Sequence, residues 1–595
     1  MSVKQRDRRR GRITAALVAL SSLAALISGT QQAVADSTPV HDKDKPFTSE
    51  DASGFVLHPR EMPGVDEGET ARSVIEGAEA KGVVTRVSPL SVAQSRQHVG
   101  RPLCHTTGIN GTLKYNGFCW DETDDNTSAY DPAGGWHPQG FTASHDADPS
   151  GTIDGHHLYM ASWYYGNGEN DRSKKARISI LESTGTDWSY GHVLLVQPTG
   201  SRANPNFTSV NDVHADGTVW YGNRLFVANG GELQIYDLSH LWKVNSISKG
   251  SGIAGDTSSA EYHQWALPMV ARYSNRTEAE QGNLSKMNCG DRKDQQGRRV
   301  RIACLSSLSL DRSVSPPRLV SGRHGDADRT DPVDVIRWPV EDFGEGGTSP
   351  VTATAAYAAP IHGLQGVATD GTYYYISAMC ETGYMGVTDP TNTHAYYCIW
   401  QAKPNDKVSI LTRAAPLTQN LSYSFSSGRL WGMNEVTGKR VVFSLLPREA
   451  DRATYLSNDY SALCAGAGGE IYNGSKVIQW GCKTEDKALD EHWLSENTTD
   501  SNGAPAYFLR NTYSGKCMGP ASSLANGAGM IQYTCNGAVD EKWWYDQDTH
   551  ELRNVYSGKC LGLGSAATKG SQLIQWPCNG AQDERWTLSK TAPKV

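Results

Sequence analysis

Three aromatic residues, Trp480, Tyr533 and Trp576, each stand two positions before a cysteine and directly after an Ile-Gln pair. Each of these segments then ends in Asp-Glu-x-Trp, at 490–493, 540–543 and 583–586. An exposed ring beside a carboxylate suits one kind of ligand. A pyranose offers an apolar C–H face that can stack on a ring, and a rim of hydroxyls that a carboxylate can accept in pairs. The sequence therefore predicts Trp480, Tyr533 and Trp576 as stacking surfaces and Asp490, Asp540 and Asp583 as acceptors. The closing residues Trp493, Trp543 and Trp586 are expected in the core. The competing reading of the carboxylates is that they cap turns.

The elements that must position these groups repeat. The segment 513–517 (YSGKC) returns at 556–560, and Cys464, Cys517 and Cys560 are each followed eighteen residues later by a second cysteine, Cys482, Cys535 and Cys578. Three copies of a unit too small to fold alone must share one core, which predicts a pseudo-threefold β structure. Over 460–590, within a domain placed at 455–595, this pattern resembles the ricin-type β-trefoil lectin family. The resemblance implies a β-trefoil that binds glycan or polysaccharide. It also shows a departure. The family's repeat reads Cys-x-Asp and closes with Asn-Gln-x-Trp, whereas here the Asp is replaced by Gly466, Gly519 and Gly562, and the Asn-Gln pair by Asp-Glu. The expectation is that the carboxylate at the Asn position takes over the acceptor's task.

The twelve cysteines fall into six close pairs along the chain, predicting disulfides Cys104–Cys119, Cys289–Cys304, Cys380–Cys398, Cys464–Cys482, Cys517–Cys535 and Cys560–Cys578. No C-x-x-C spacing suggests zinc. A basic stretch (Lys4 to Arg12), the apolar run 13–27 and the small-x-small site Ala33-Val34-Ala35 read as a signal peptide over 1–35, and hence a secreted, extracellular protein. No run reaches the roughly 20 apolar residues of a membrane span. Residues 36–100 are polar and broken by Pro39, Pro46, Pro59 and Pro63. They read as a disordered linker or propeptide, with a short amphipathic helix over 67–80.

Residues 101–450 carry short Val-, Ile- and Tyr-rich runs between Gly, Asn and Asp turns. A faint repeat aligns 365–378 with 211–229, 139–162 and 422–432. The fold class is therefore all-β: a β-propeller of about five blades, with a two-sheet sandwich as competitor, followed by the C-terminal β-trefoil. The overlay places Gln139, Asn211 and Gln365 at equivalent blade starts, with His137 and His362 just before two of them and Asp212 alongside. Such amides and imidazoles either bind a hydroxyl-rich ligand or fasten blade to blade.

One loop, Asp146, Asp148, Ser150 and Asp154 with Gly151 between, has oxygen donors at the spacing of a structural calcium site, the alternative being an Asx-rich hairpin. No cofactor beyond that calcium is implied. A net charge of −8, from 56 basic and 64 acidic residues, argues against nucleic acid as a partner. No catalytic motif is present. If the protein is an enzyme, a glycoside hydrolase with Asp212, Glu232, Glu261, Glu381 or Glu435 as its carboxylates is the form expected. A third reading is a lectin component of a secreted assembly, the propeller docking a protein partner.

Overall fold

The computed structural model describes residues 45–593, apart from 169–174, 186, 278–288, 290–291, 294–298, 301, 326–331, 383, 388–391, 393–394, 484–489 and 565. The leader 1–35 lies outside the described residues. The chain is all-β, as its turn-dense composition predicts, and all six disulfides pair as expected. Among the described residues no helix is long and apolar enough to cross a membrane.

Among the described residues the middle region holds five antiparallel sheets of four or more strands. The first comprises Gly135–Ala143, Leu158–Gly166, Lys175–Ser183 and Trp188–Gly200. The second comprises Gly217–Tyr221, Arg224–Asn229, Glu232–Asp237 and Trp265–Ser274. The third runs Ser307–Asp311, Arg318–Gly322, Val333–Pro339 and Ala355–Ala359. The fourth runs Gly366–Thr369, Tyr374–Met379, Tyr397–Ala402 and Ser409–Ala414. The fifth is Thr418–Ser424, Arg429–Asn434 and Val441–Leu445, completed by Asn116–Cys119 from the other end of the region.

The first strands of consecutive sheets lie side by side, and that of the fifth returns beside that of the first. Near their meeting point the backbones approach too closely for side chains: a Cβ on Gly217 would lie 2.2 Å from the Leu308 nitrogen. The buried Asn420 amide ties strands together there, donating to Leu308 O (2.8 Å) and Phe141 O (3.2 Å) and accepting from Leu308 N (3.1 Å). Sheets stacked face to face bury both faces, which is why runs such as Leu225, Phe226, Val227 and Ala228 are continuously apolar rather than alternating.

The expectation of a disordered linker over 36–100 is corrected for its described part, 45–100. Thr48–Glu50 adds to the edge of the third sheet by pairing with Ala355–Ala359, and Phe47 stacks on Tyr357 (5.0 Å). The helix Ala71–Ala80 forms where the amphipathic stretch predicts it, capped by Thr70 and burying Val74, Ile75 and Ala78. Glu79 at its end accepts from Trp242 Nε1 (2.9 Å) and meets His240 Nδ1 (2.7 Å). Isolated apolar residues here find partners far away in sequence, so the segment is core even though it is locally polar.

The C-terminal region is a β-trefoil. Its first strand, Thr454–Asn458, pairs with its last, Trp586–Ser589. The three repeats hold one another cyclically: Val477 N donates to Met530 O (2.9 Å), Met530 N to Leu573 O (2.7 Å) and Leu573 N to Val477 O (2.9 Å). Trp493, Trp543 and Trp586 are fully buried, as expected, each donating Nε1–H to the carbonyl of the residue between the cysteine and the glycine of its repeat: Ala465, Met518 and Leu561.

Candidate functional site

Each trefoil repeat builds the same hairpin. The Cys-x-Gly strand pairs with the Ile-Gln-aromatic strand, setting Cys464 opposite Trp480, Cys517 opposite Tyr533 and Cys560 opposite Trp576. Side chains alternate along a strand, so the glutamines point inward and the rings outward. Gln532 Nε2 donates to Glu470 O (2.9 Å) and Gln575 Nε2 to Ser523 O (2.7 Å), each locking onto the neighbouring repeat. Trp480, Tyr533 and Trp576 remain 44%, 47% and 44% exposed. Large rings are thus left in water, outside the core, at one position of all three repeats.

The Asp-Glu pair divides its work. The glutamates are buried and accept from the turn after the second cysteine: Glu491 from Lys483 N (2.8 Å), Glu541 from Asn536 N (3.1 Å) and Glu584 from Asn579 N (2.9 Å). Burial raises all three above the ordinary carboxylate value. The aspartates turn toward the loop that follows the glycine. Asp490 accepts from Gly469 N (3.1 Å) and pairs with Lys483 Nζ (3.0 Å). Asp540 accepts from Ser522 N (2.7 Å). Asp583 lies with one oxygen 3.7 Å from where a Cβ on Gly562 would stand. The glycines that replace the family's Asp thus lie under the Asp-Glu backbone.

The first of these sites is walled on its far side by the fourth sheet. Trp480, Asp490 and Lys483 share a cleft of about 490 Å³ with Trp400, Tyr384 and Glu381, among others. The two walls are fixed to each other: Tyr513 Oη accepts from Met385 N (3.3 Å), Tyr384 meets the Tyr513 ring edge-on (5.9 Å), and Asn110 Nδ2 donates to Thr512 O.

In the five-sheet region Gln139 and Gln365 both neighbour Glu435, Gln139 directly and Gln365 by way of Tyr397. Gln139 and His137 lie on the first strand of the first sheet, both buried. Gln139 Nε2 donates to Glu435, and His137 Nδ1 accepts from Ala129 N (2.8 Å) while stacking on Tyr164. His362 is buried, and Gln365 donates its backbone N–H to Ser377 O (2.9 Å) just before the first strand of the fourth sheet. Asn211 is exposed, and Asp212 has left-handed backbone (φ 57°) in the loop preceding Gly217, so neither holds a position equivalent to Gln139.

The loop read as a calcium site does not converge. Asp146 is buried and turned inward, accepting from Thr142 Oγ1 (2.7 Å) and Ser422 Oγ (2.8 Å). Asp148 closes an Asx turn on Ser150 N (2.8 Å), and Asp154 occupies a left-handed turn position (φ 51°). The hairpin alternative describes it. Of the hydrolase carboxylates, Glu232 pairs with Arg272, Glu261 meets Lys175 (2.7 Å) and Ser209 (2.8 Å), Glu435 accepts from Gln139, and Glu381 lines the trefoil-facing cleft.

A charged cluster escaped the sequence reading. In the short helix Glu122–Asn126 and its cap, Asp121 meets His98 Nδ1 (2.6 Å), Asp124 meets His192 Nε2 (3.0 Å) and Asp125 meets His105 Nε2 (2.7 Å). Asp124 also pairs with Arg177 (2.6 Å), whose guanidinium lies over the Trp136 ring (4.4 Å). Burial and the Arg177 charge lower His192 to about 4, so its imidazole is neutral at pH 7. The acidic run 121–125 was the available signal, but its partners come from three distant strands and a loop.

Residues 452–586 match the Ricin-type beta-trefoil lectin domain. The C-terminal domain is thus a ricin-type lectin domain, which indicates carbohydrate binding. No curated protein matches the chain. Among solved structures, the chain is similar to the earthworm R-type lectin C-half in complex with GalNAc, at 13% identity, covering 23% of this chain and 98% of that one, with a TM-score of 0.19. It is also similar to a designed threefold-symmetric protein, ThreeFoil, at 23% identity, 23% and 97% coverage and a TM-score of 0.21. An exo-beta-1,3-galactanase from Clostridium thermocellum aligns at 11% identity over 76% of this chain and 96% of its own, with a TM-score of 0.24.

Proposed function

We propose that the protein is a secreted carbohydrate-binding protein whose trefoil takes glycan or polysaccharide at three ring-plus-carboxylate sites: Trp480 with Asp490, Tyr533 with Asp540 and Trp576 with Asp583. One observation carries this reading: the same exposed ring recurs in each repeat while the closing tryptophans are fully buried. Three weak sites on one rigid module gain avidity on a polymer, by about 10²–10⁴ over a single site where geometry allows simultaneous contact.

The five sheets are read as the blades of a β-propeller, the strand Asn116–Cys119 closing the last blade. The closed ring of first strands and the four-stranded antiparallel sheets support this. Export through the leader 1–35 accords with six disulfides, which persist in oxidising compartments.

The hydrolase reading needs two carboxylates about 5–9.5 Å apart across a sugar, and of the five expected candidates Glu232, Glu261 and Glu435 are each engaged with a different partner. The test is a glycan array and polysaccharide pull-down, with reducing-sugar release measured on whatever binds. Binding without release, weakened on Trp576→Ala combined with Tyr533→Ala and lost when Trp480→Ala is added, is the expected result. Release of sugar would overturn it in favour of a hydrolase; neither binding nor release would favour a secreted assembly with the propeller as its protein-docking part.

A further inference from the structure

We propose that the first trefoil site is one end of a two-module cleft that takes a glycan segment at least two sugar residues long, its second position built by the fourth sheet. The inference rests on the carbohydrate-binding reading of the trefoil and adds the size and shape of what the first site takes.

The cleft's volume, about 490 Å³, lies in the range of roughly 300–1,000 Å³ that encloses drug-sized ligands, a size matched by a short oligosaccharide and not by one pyranose. Its surface alternates in the way a sugar chain does. Trp480 and Ile478 on the trefoil side are opposed by the half-buried Tyr384 on the far wall, where Trp400 and Ile410 are buried, while Asp490 and Glu381 line the two sides. A pyranose seated on Trp480 beside Asp490 would therefore have its neighbour in the chain against the fourth sheet.

The arrangement is pre-built. The contacts of Tyr513 with Met385 and Tyr384, and of Asn110 with Thr512, hold the walls before any ligand arrives. Binding then pays little for ordering the site. Tyr533 and Trp576 carry equivalent rings but are not among the residues lining this cleft. The three sites therefore differ: the first reads chain length, and the other two read a single terminal or internal sugar.

The experiment uses the full chain carrying Tyr533→Ala and Trp576→Ala, which leaves Trp480 as the one ring at its repeat position. Calorimetric titrations compare galactose, glucose and N-acetylglucosamine with their linear dimers, trimers and tetramers. The expected result is a rise in affinity of about tenfold or more from monomer to dimer or trimer, followed by a plateau. Adding Ser409→Trp, at a half-buried position on the cleft wall, should abolish the rise and leave monosaccharide affinity unchanged. Equal affinity for monomer and oligomers, or a rise that survives Ser409→Trp, would overturn the proposal. If the wild type binds these glycans and the double variant binds none, the cleft is not a glycan site while the trefoil reading stands. If the wild type binds none, the carbohydrate reading fails with it.

Discussion

Gly519 and Asp540 share one small volume: a Cβ built on Gly519 would lie 2.7 Å from the Asp540 carbonyl oxygen. The residue that replaces the lectin family's Asp is thus covered by the backbone of the pair that replaces its Asn-Gln. The two departures from the family's repeat therefore meet at one place in the structure.

The three glycines are not equally crowded. At Gly562 the nearest atoms to an added Cβ are 3.5 Å or more away, ordinary contact, whereas at Gly519 the nearest is backbone and cannot swing aside. Gly519→Ala is expected to destabilise the trefoil by about 1–3 kcal/mol, and Gly562→Ala to stay within about 0.5 kcal/mol. Urea unfolding of both variants checks this; equal midpoints would contradict it.

The buried glutamates give a pH dependence of definite sign. Burial raises Glu541 and Glu584 above their unfolded value, so the folded state resists their ionisation. Their contribution is greatest below the unfolded carboxylate value and is lost as pH rises through the raised folded value. Glu541→Gln with Glu584→Gln keeps an oxygen for the Asn536 and Asn579 N–H groups. The double variant should melt higher than wild type at pH 7, and the gap should close near pH 4. A gap that widens on acidification would contradict the assignment.

Asn420 tests the ring of first strands. Asn420→Ala leaves the Leu308 and Phe141 backbone groups it serves buried without that partner, at a cost of about 1–3 kcal/mol for each unsatisfied group. Thermal unfolding should show the five-sheet region melting earlier with the trefoil transition unmoved. An unchanged melting profile would mean that the strands close without this amide.

The trefoil was legible because its signals are local and tripled: cysteine spacing, the Ile-Gln-aromatic strand and the closing Trp all recur every 43–53 residues. The N-terminal segment was not, because Phe47 and Leu57 look isolated until the chain returns some 300 residues later to cover them. The overlay failed at Asn211 because left-handed Asp212 and Ala215 form an irregular approach, and the strand starts only at Gly217. Asp146 has the spacing of a cation ligand, but Thr142 and Ser422 claim its carboxylate from strands that the loop sequence does not reveal. The Asp124–His192–Arg177 cluster is likewise assembled from three separate segments.

The most direct test of the carbohydrate reading is a binding series on one polysaccharide that wild type retains, with one, two and then all three of Trp480→Ala, Tyr533→Ala and Trp576→Ala. Because the rings are exposed while Trp493, Trp543 and Trp586 hold the core, thermal stability should change little across the series as retention falls stepwise and disappears in the triple variant. A triple variant that is folded and still binds as wild type would contradict the account.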